Sequence, residues 1–117
     1  MNILIVDDEK AIKESLISIL NIAFNDLNIF SADEGNSALE IINQNDISLL
    51  ITDINMPNGM GGEELIKRIE HSFKGQIVVI TGYDRNIFLK EHSKVTHLLE
   101  KPFDIQILLN IVKDLHG

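Results

Sequence analysis

Short apolar runs alternate along the whole chain with stretches of helical periodicity. Ile3–Val6, Leu49–Thr52 and Ile77–Ile80 are continuous apolar or β-branched runs, the pattern of strands covered on both faces. Weaker runs at about 28–32 and about 96–100 complete a set of five predicted strands, with the others at about 3–6, 48–52 and 76–80. Between the first two, Ile12, Leu16, Ile19, Leu20 and Ala23 recur on one face at helical spacing, so a first helix is predicted to end near residue 23. A second carries Ala38, Leu39, Ile41 and Ile42, and a third starts near Gly62 with Glu63 and Glu64 in its first turn, where the helix dipole favours negative charge. A short, weakly patterned fourth helix is expected over about 84–92, and a fifth after Asp104, a residue type suited to an N-cap. Strand and helix alternate without linker, repeat or low-complexity stretch. The pattern predicts five βα units in a three-layer α/β domain.

Each strand ends in a distinctive way. Ile3–Val6 runs into Asp7-Asp8, Leu49–Thr52 into Asp53, Ile77–Ile80 into Thr81-Gly82, and Leu98-Leu99-Glu100 into Lys101-Pro102. In an open parallel sheet the carboxyl ends of the strands share one edge, where such folds place their sites. Carboxylates, a hydroxyl and an ammonium group from distant parts of the chain would then meet there. Asp8 and Asp53 offer the hard oxygen ligands that Mg²⁺ takes, with Asp7 able to hold a metal-bound water. The bare alternative is that Asp7-Asp8 caps the first helix. Asp53, at the end of an apolar strand, needs a compensating cation or lysine, and as a carboxylate it can accept a phosphoryl group as an acyl phosphate. The alternative is an Asp capping the next loop. Thr81 and Gly82 would let a phosphoryl oxygen approach closely, and Lys101 would neutralise its charge. A plain strand threonine and an ordinary Lys-Pro turn are the competing accounts.

With 117 residues the chain fits one domain, and no apolar run approaches the roughly 20 residues of a membrane span. The first apolar run is too short for a signal peptide, so the domain is expected to begin at the N-terminus and to fill residues 1–117 without an output domain. The absence of Cys excludes disulfides and thiolate metal sites, and weakly favours the cytoplasm. A net charge of −8 argues against direct nucleic-acid binding. Four scattered His residues show no metal-ligand spacing.

Taken together, these segments resemble the receiver domains of bacterial two-component response regulators, of the chemotaxis-regulator type. The resemblance lies in Ile3–Glu9 (ILIVDDE), Gly35–Leu39 (GNSAL), Ile51–Pro57 (ITDINMP), Gly62–Leu65 (GEEL), Ile80–Gly82 (ITG) and Lys101–Asp104 (KPFD). It implies a flavodoxin-like (βα)5 fold with strand order 2-1-3-4-5. It implies Asp53 as phosphoacceptor, and Asp7, Asp8, Asp53 and the Asn55 backbone carbonyl as the Mg²⁺ site, with Mn²⁺ as a substitute. Thr81, Gly82 and Lys101 would bind phosphate and switch, the Lys101–Pro102 bond would be cis, and Asn55 and Tyr83 would tune dephosphorylation. The implied partners are a sensor histidine kinase or histidine phosphotransfer protein, then a downstream target or an attached output domain. No membrane or nucleic acid is implied. The chain would be a phosphorelay switch rather than an enzyme, changing its face of helix four, strand five and helix five.

Three features depart from the family pattern. Leu98, beside His97, stands where many receivers have a Tyr or Phe that turns inward on activation. The segment Asn58–Gly62 is one residue longer than is usual in the family, and its three glycines suggest a mobile loop. The interval from Thr81 to Lys101, 101 − 81 = 20 residues, is short, which predicts a truncated fourth helix. In helix five, seven apolar residues from Ile105 to Leu115 cover an arc of about 200°, more than a core needs, so a flank is expected to serve a homodimer or partner unless the helix is deeply buried. Two other functions compete. One is a phosphorylation-independent interaction module on the same fold. The other is a Mg²⁺-dependent phosphatase, disfavoured because Asn55 stands where such enzymes often place a second Asp. Nucleotide or flavin binding lacks a GxGxxG or P-loop segment.

Overall fold

A computed structural model describes residues 1–54, 59–81, 95–101 and 103–116. The strands are β1 (Asn2–Val6), β2 (Asn28–Ala32), β3 (Leu49–Asp53), β4 (Gln76–Thr81) and β5 (Val95–Glu100). The helices among the described residues are α1 (Lys10–Ala23), α2 (Gly35–Gln44), α3 (Gly62–Ile69) and a terminal α4 (Ile105–His116), which is the predicted fifth helix. The expected helix over 84–92 lies outside the described residues, as do Asn55, Gly82, Tyr83 and Pro102. All pairings are parallel and the sheet order is β2-β1-β3-β4-β5, the flavodoxin-like arrangement.

Alternation along the buried strands sorts the core into two layers. Leu4, Val6, Leu50, Ile77 and Val79 face Ala38 of α2 and Leu65, Ile66 and Ile69 of α3. Ile3, Ile5, Leu49, Ile51, Val78 and Ile80 face Leu16 and Leu20 of α1 and Leu108, Ile111 and Val112 of α4. A continuous apolar run is what this geometry demands, since each residue has a helix opposite it. In β5 the pairing jumps from Ile77↔Val95 to Val78↔His97. The extra residue, Thr96, turns its hydroxyl to donate to the Ile77 carbonyl at 3.0 Å. That bulge shifts the alternation by one, so Val95 and Leu98 share a face although three residues separate them.

Helix ends follow local chemistry. The Asp104 carboxylate accepts from the Gln106 N–H at 2.9 Å and so begins α4 as expected. Ala23, expected on the buried face of α1, is exposed at the last residue of the helix. Lys13, absent from the expected face, is buried beside Leu16 and Leu20 and pairs with Asp33 at the end of β2. Most of the broad apolar arc of α4 is covered, and its clearly exposed large residue is Ile107.

Candidate functional site

The sheet order places the ends of β1, β3, β4 and β5 side by side. The β1–β2 ladder runs one bond further, Asp7 N–H donating to the Ala32 carbonyl, so Asp7 leaves the sheet in a fixed direction. Its carboxylate accepts from the Glu9 N–H at 2.8 Å. The helix-capping account of the acidic pair is therefore partly right: Asp7 secures the turn into α1, while the N-cap residue Glu9 makes no side-chain cap bond. Asp53 closes β3, opposite Ile80 in the register, and only 3% of its surface is exposed. Thr81 closes β4 and is fully buried. Lys101 extends the β4–β5 ladder, its N–H donating to the Thr81 carbonyl at 3.0 Å. From there its Nζ donates to Asp53 Oδ2 at 2.7 Å.

This ion pair crosses 48 residues of sequence and joins a buried carboxylate to a lysine whose side chain is one-third exposed. Asp7 faces the same space. Burial raises its pKa above the usual carboxylate value; the Glu9 N–H bond works against that, the Asp53 charge adds to it and the Lys101 charge subtracts. Burial acts to lower the Lys101 pKa, but the bond to Asp53 and the charges of Asp53, Asp7 and Glu9 outweigh it and raise the value. The edge thus holds more negative charge than Lys101 alone offsets. Asp7, Asp8 and Glu9 each bring one carboxylate oxygen within 4.8 Å of the others. Hard oxygen donors, partly buried and unbalanced in charge, suit a divalent cation. Glu9 was not foreseen as a member of this cluster; the signal that could have found it is its place directly after the Asp pair.

The sequence also gave no notice of Glu34. Its carboxylate caps α2, accepting from the Asn36 N–H at 2.7 Å and the Ser37 N–H at 3.3 Å, and it also accepts from the distant Met60 N–H at 3.1 Å. Beyond β3, the three glycines expected to loosen the loop meet specific demands at two positions. Gly59 has φ of +121°, which disfavours side chains, and a Cβ on Gly62 would lie 2.1 Å from the Asp53 carbonyl oxygen. Leu98, in the usual aromatic place, is buried against the layer of α2 and α3, while His97 is exposed.

The model of one known family, the response regulator receiver domain, matches residues 3–113. The chain belongs to that family. It is a receiver domain of two-component response regulators, a signalling domain. It is 34% identical over 108 residues to the transcriptional regulatory protein HptR of Staphylococcus aureus, covering 87% of this chain and 41% of HptR. Against histidine kinase P4 of Formosa agariphila it is 34% identical, over 89% of this chain and 8% of the kinase. The receiver domain therefore spans less than half the length of these two relatives. A chemotaxis protein CheY homolog from Campylobacter jejuni is 29% identical over 100% of this chain and 93% of its own. Among solved structures, a Francisella response regulator receiver domain superposes with a TM-score of 0.85 at 26% identity, covering 97% of this chain and 94% of that one. The N-terminal domain of a Wolinella succinogenes protein gives 0.86 at 27% identity, over 99% and 94%. No described helix is long and apolar enough to cross a membrane.

Proposed function

We propose that this receiver domain is a phosphoacceptor switch in which Asp53 takes a phosphoryl group from a histidine kinase or histidine phosphotransfer protein. The observation that carries this is the 2.7 Å pair between Lys101 and the nearly buried Asp53 at the edge shared with the acidic cluster. The Asp53 carboxylate attacks phosphorus in line; the P–O bond forms as the P–N bond to the donor histidine breaks, its electron pair returning to the imidazole. Lys101 is placed to transfer its hydrogen bond from Asp53 to a phosphoryl oxygen, so its charge is stabilised without reorganisation of solvent. Asp7, Asp8, Asp53 and the Asn55 carbonyl would hold Mg²⁺, or Mn²⁺ in its place. Bound there, the cation supplies positive charge against the phosphoryl oxygens.

Phosphorylated Asp53 attracts the Thr81 hydroxyl and the Gly82 N–H. The Thr81 movement passes to β5 and the helices flanking it, the face offered to a downstream protein or an attached output domain. With Leu98 packed in the core, this switch works without an inward-turning aromatic ring. Asn55 and Tyr83 border the path of hydrolytic water. The chain acts as one receiver unit over residues 1–117, in the cytoplasm, and its own phosphorylation and dephosphorylation are its only chemistry. The Lys101–Pro102 bond is cis in this reading, and the exposed part of α4 around Ile107 is the surface for a homodimer.

The test is intact mass after incubation with acetyl phosphate and Mg²⁺, beside Asp53→Ala. One phosphoryl gain that requires Mg²⁺ and is absent from the variant is expected. No gain, where a known receiver is modified, turns the assignment to a phosphorylation-independent interaction module.

A further inference from the structure

The two edges of the sheet are built differently. β5 carries the bulge at Thr96, and its exposed positions include His97 and Glu100. Bulges and charges of that kind keep a sheet edge from pairing with another chain. β2 has neither: its register with β1 is unbroken from Asn28 to Ala32, and Leu27–Ala32 contains no charged residue and no Pro.

Two ladder bonds show which way the β2 backbone faces. Asn28 N–H donates to the Met1 carbonyl at 3.0 Å, and the Ala32 carbonyl accepts from the Asp7 N–H at 3.2 Å. Asn28, Phe30 and Ala32 therefore turn their backbone groups toward β1. The alternation leaves the N–H and C=O of Ile29 and Ser31 pointing the other way. Among the described residues no strand lies on that side. A groove of about 580 Å³ follows the edge instead, lined by Ile17 and Asn21 of α1, Ile29 and Phe30 of β2, and Asn45. Ile29 and Phe30 are only half-buried, whereas Ile3 and Leu4, opposite them on β1, are fully buried.

We propose that β2 is a second self-association surface, distinct from the one around Ile107: two copies pair β2 with β2, antiparallel, about a two-fold axis at Phe30. Ile29 then lies opposite Ser31 of the second copy, each N–H donating to the other's carbonyl. A two-fold interface must be complementary to itself, and open groups placed evenly on either side of Phe30 meet that condition. The carboxylates that bound the strand do not oppose it. Asp33 is paired with Lys13, and Asp26 is bonded to His116 at 2.7 Å, so neither meets the second copy bare. No charge along Leu27–Ala32 selects a foreign strand by its sign.

The experiment is sedimentation equilibrium of the full, unphosphorylated chain over a concentration series, with Ser31→Ala, Ser31→Pro and Ile107→Lys beside it. Pro is tolerated on an edge strand where the N–H faces outward, so Ser31→Pro removes the pairing donor and leaves the β1 ladder intact. A reversible wild-type dimer is expected. Ser31→Ala and Ile107→Lys should keep it, and Ser31→Pro should weaken it at least about tenfold through the bond lost in each copy. Amide exchange supplies a reading that needs no variant: the Ile29 and Ser31 N–H groups should become protected as wild-type concentration rises. If Ser31→Pro does not fold, or Ile107→Lys also dissociates, that protection decides; its presence sustains the pairing and its absence refutes it. A dimer lost in Ile107→Lys but intact in Ser31→Pro overturns the proposal. A wild-type chain that is monomeric at every concentration also overturns it, and leaves the edge to a foreign strand.

Discussion

Asp7 shows how a single residue can oppose folding in order to serve a site. Burial, then the Asp53 charge, keeps its pKa above the value of 3.8 in the unfolded chain, despite the Glu9 N–H and Lys101. The folded state therefore holds the Asp7 proton more tightly than the unfolded state does. Ionised Asp7 weakens the fold above its raised pKa, and the penalty disappears below the unfolded value. Asp7→Asn is thus expected to raise the stability of the metal-free protein at about pH 7 and to leave it unchanged at about pH 3. Urea unfolding at the two pH values checks this; a less stable variant at the higher pH would contradict it. Glu34 has the opposite sign. Its bonds from Asn36, Met60 and Ser37 lower its pKa from 4.5, so its contribution is present above that value and is lost as pH falls through the folded pKa.

At the level of elements, the terminal helix α4 tests whether its apolar arc faces inward. Leu108 is fully buried in the layer it shares with α1, whereas Ile107, the next residue back, is 48% exposed. Leu108→Ala should destabilise the domain by about 3 kcal/mol, through lost burial and the cavity left behind. Ile107→Ala should cost less than about 1 kcal/mol. Chemical denaturation distinguishes them, and equal effects would mean the helix is rotated from the position described. The extent of the arc was legible in the sequence; how much of it is covered was not, because that depends on β4, β5 and α1 coming together. The β5 bulge is similar. Nothing in Val95–Glu100 announces that Thr96 is the extra residue until Ile77 and Val78 lie opposite.

For the whole molecule, the electrostatic consequence of the fold is a concentration of charge. A chain of net charge −8 gathers Asp7, Asp8, Glu9 and Asp53 toward one edge, with Lys101 bonded among them. A divalent cation that binds only the folded form adds stability by mass action, about 2.7 kcal/mol at a concentration 100 times its dissociation constant. Millimolar Mg²⁺ should therefore raise the Tm, and Na⁺ at matched ionic strength should reproduce only the screening part. Asp8→Ala should abolish the Mg²⁺-specific rise. A Tm that responds equally to both salts would leave no specific cation site.

The sequence by itself determined the elements among the described residues, the parallel α/β class and the residues standing at the strand ends. Strands buried on both faces must be apolar throughout, and a polar residue ending such a run is conspicuous; Leu49–Thr52 running into Asp53 is legible for that reason. Strand boundaries moved by one residue where the ladder continues past the apolar run, as at Asp53, Thr81 and Val95. The meeting of Lys101 with Asp53 across 48 residues was expected from their places at the strand ends. Tertiary structure alone decided that Lys13 finds Asp33 and that the Met60 N–H finds Glu34, across 20 and 26 residues. Periodicity tells which face of an element is covered, but not what stands opposite it. A buried polar atom has to be satisfied by whatever the packing of distant segments brings within reach.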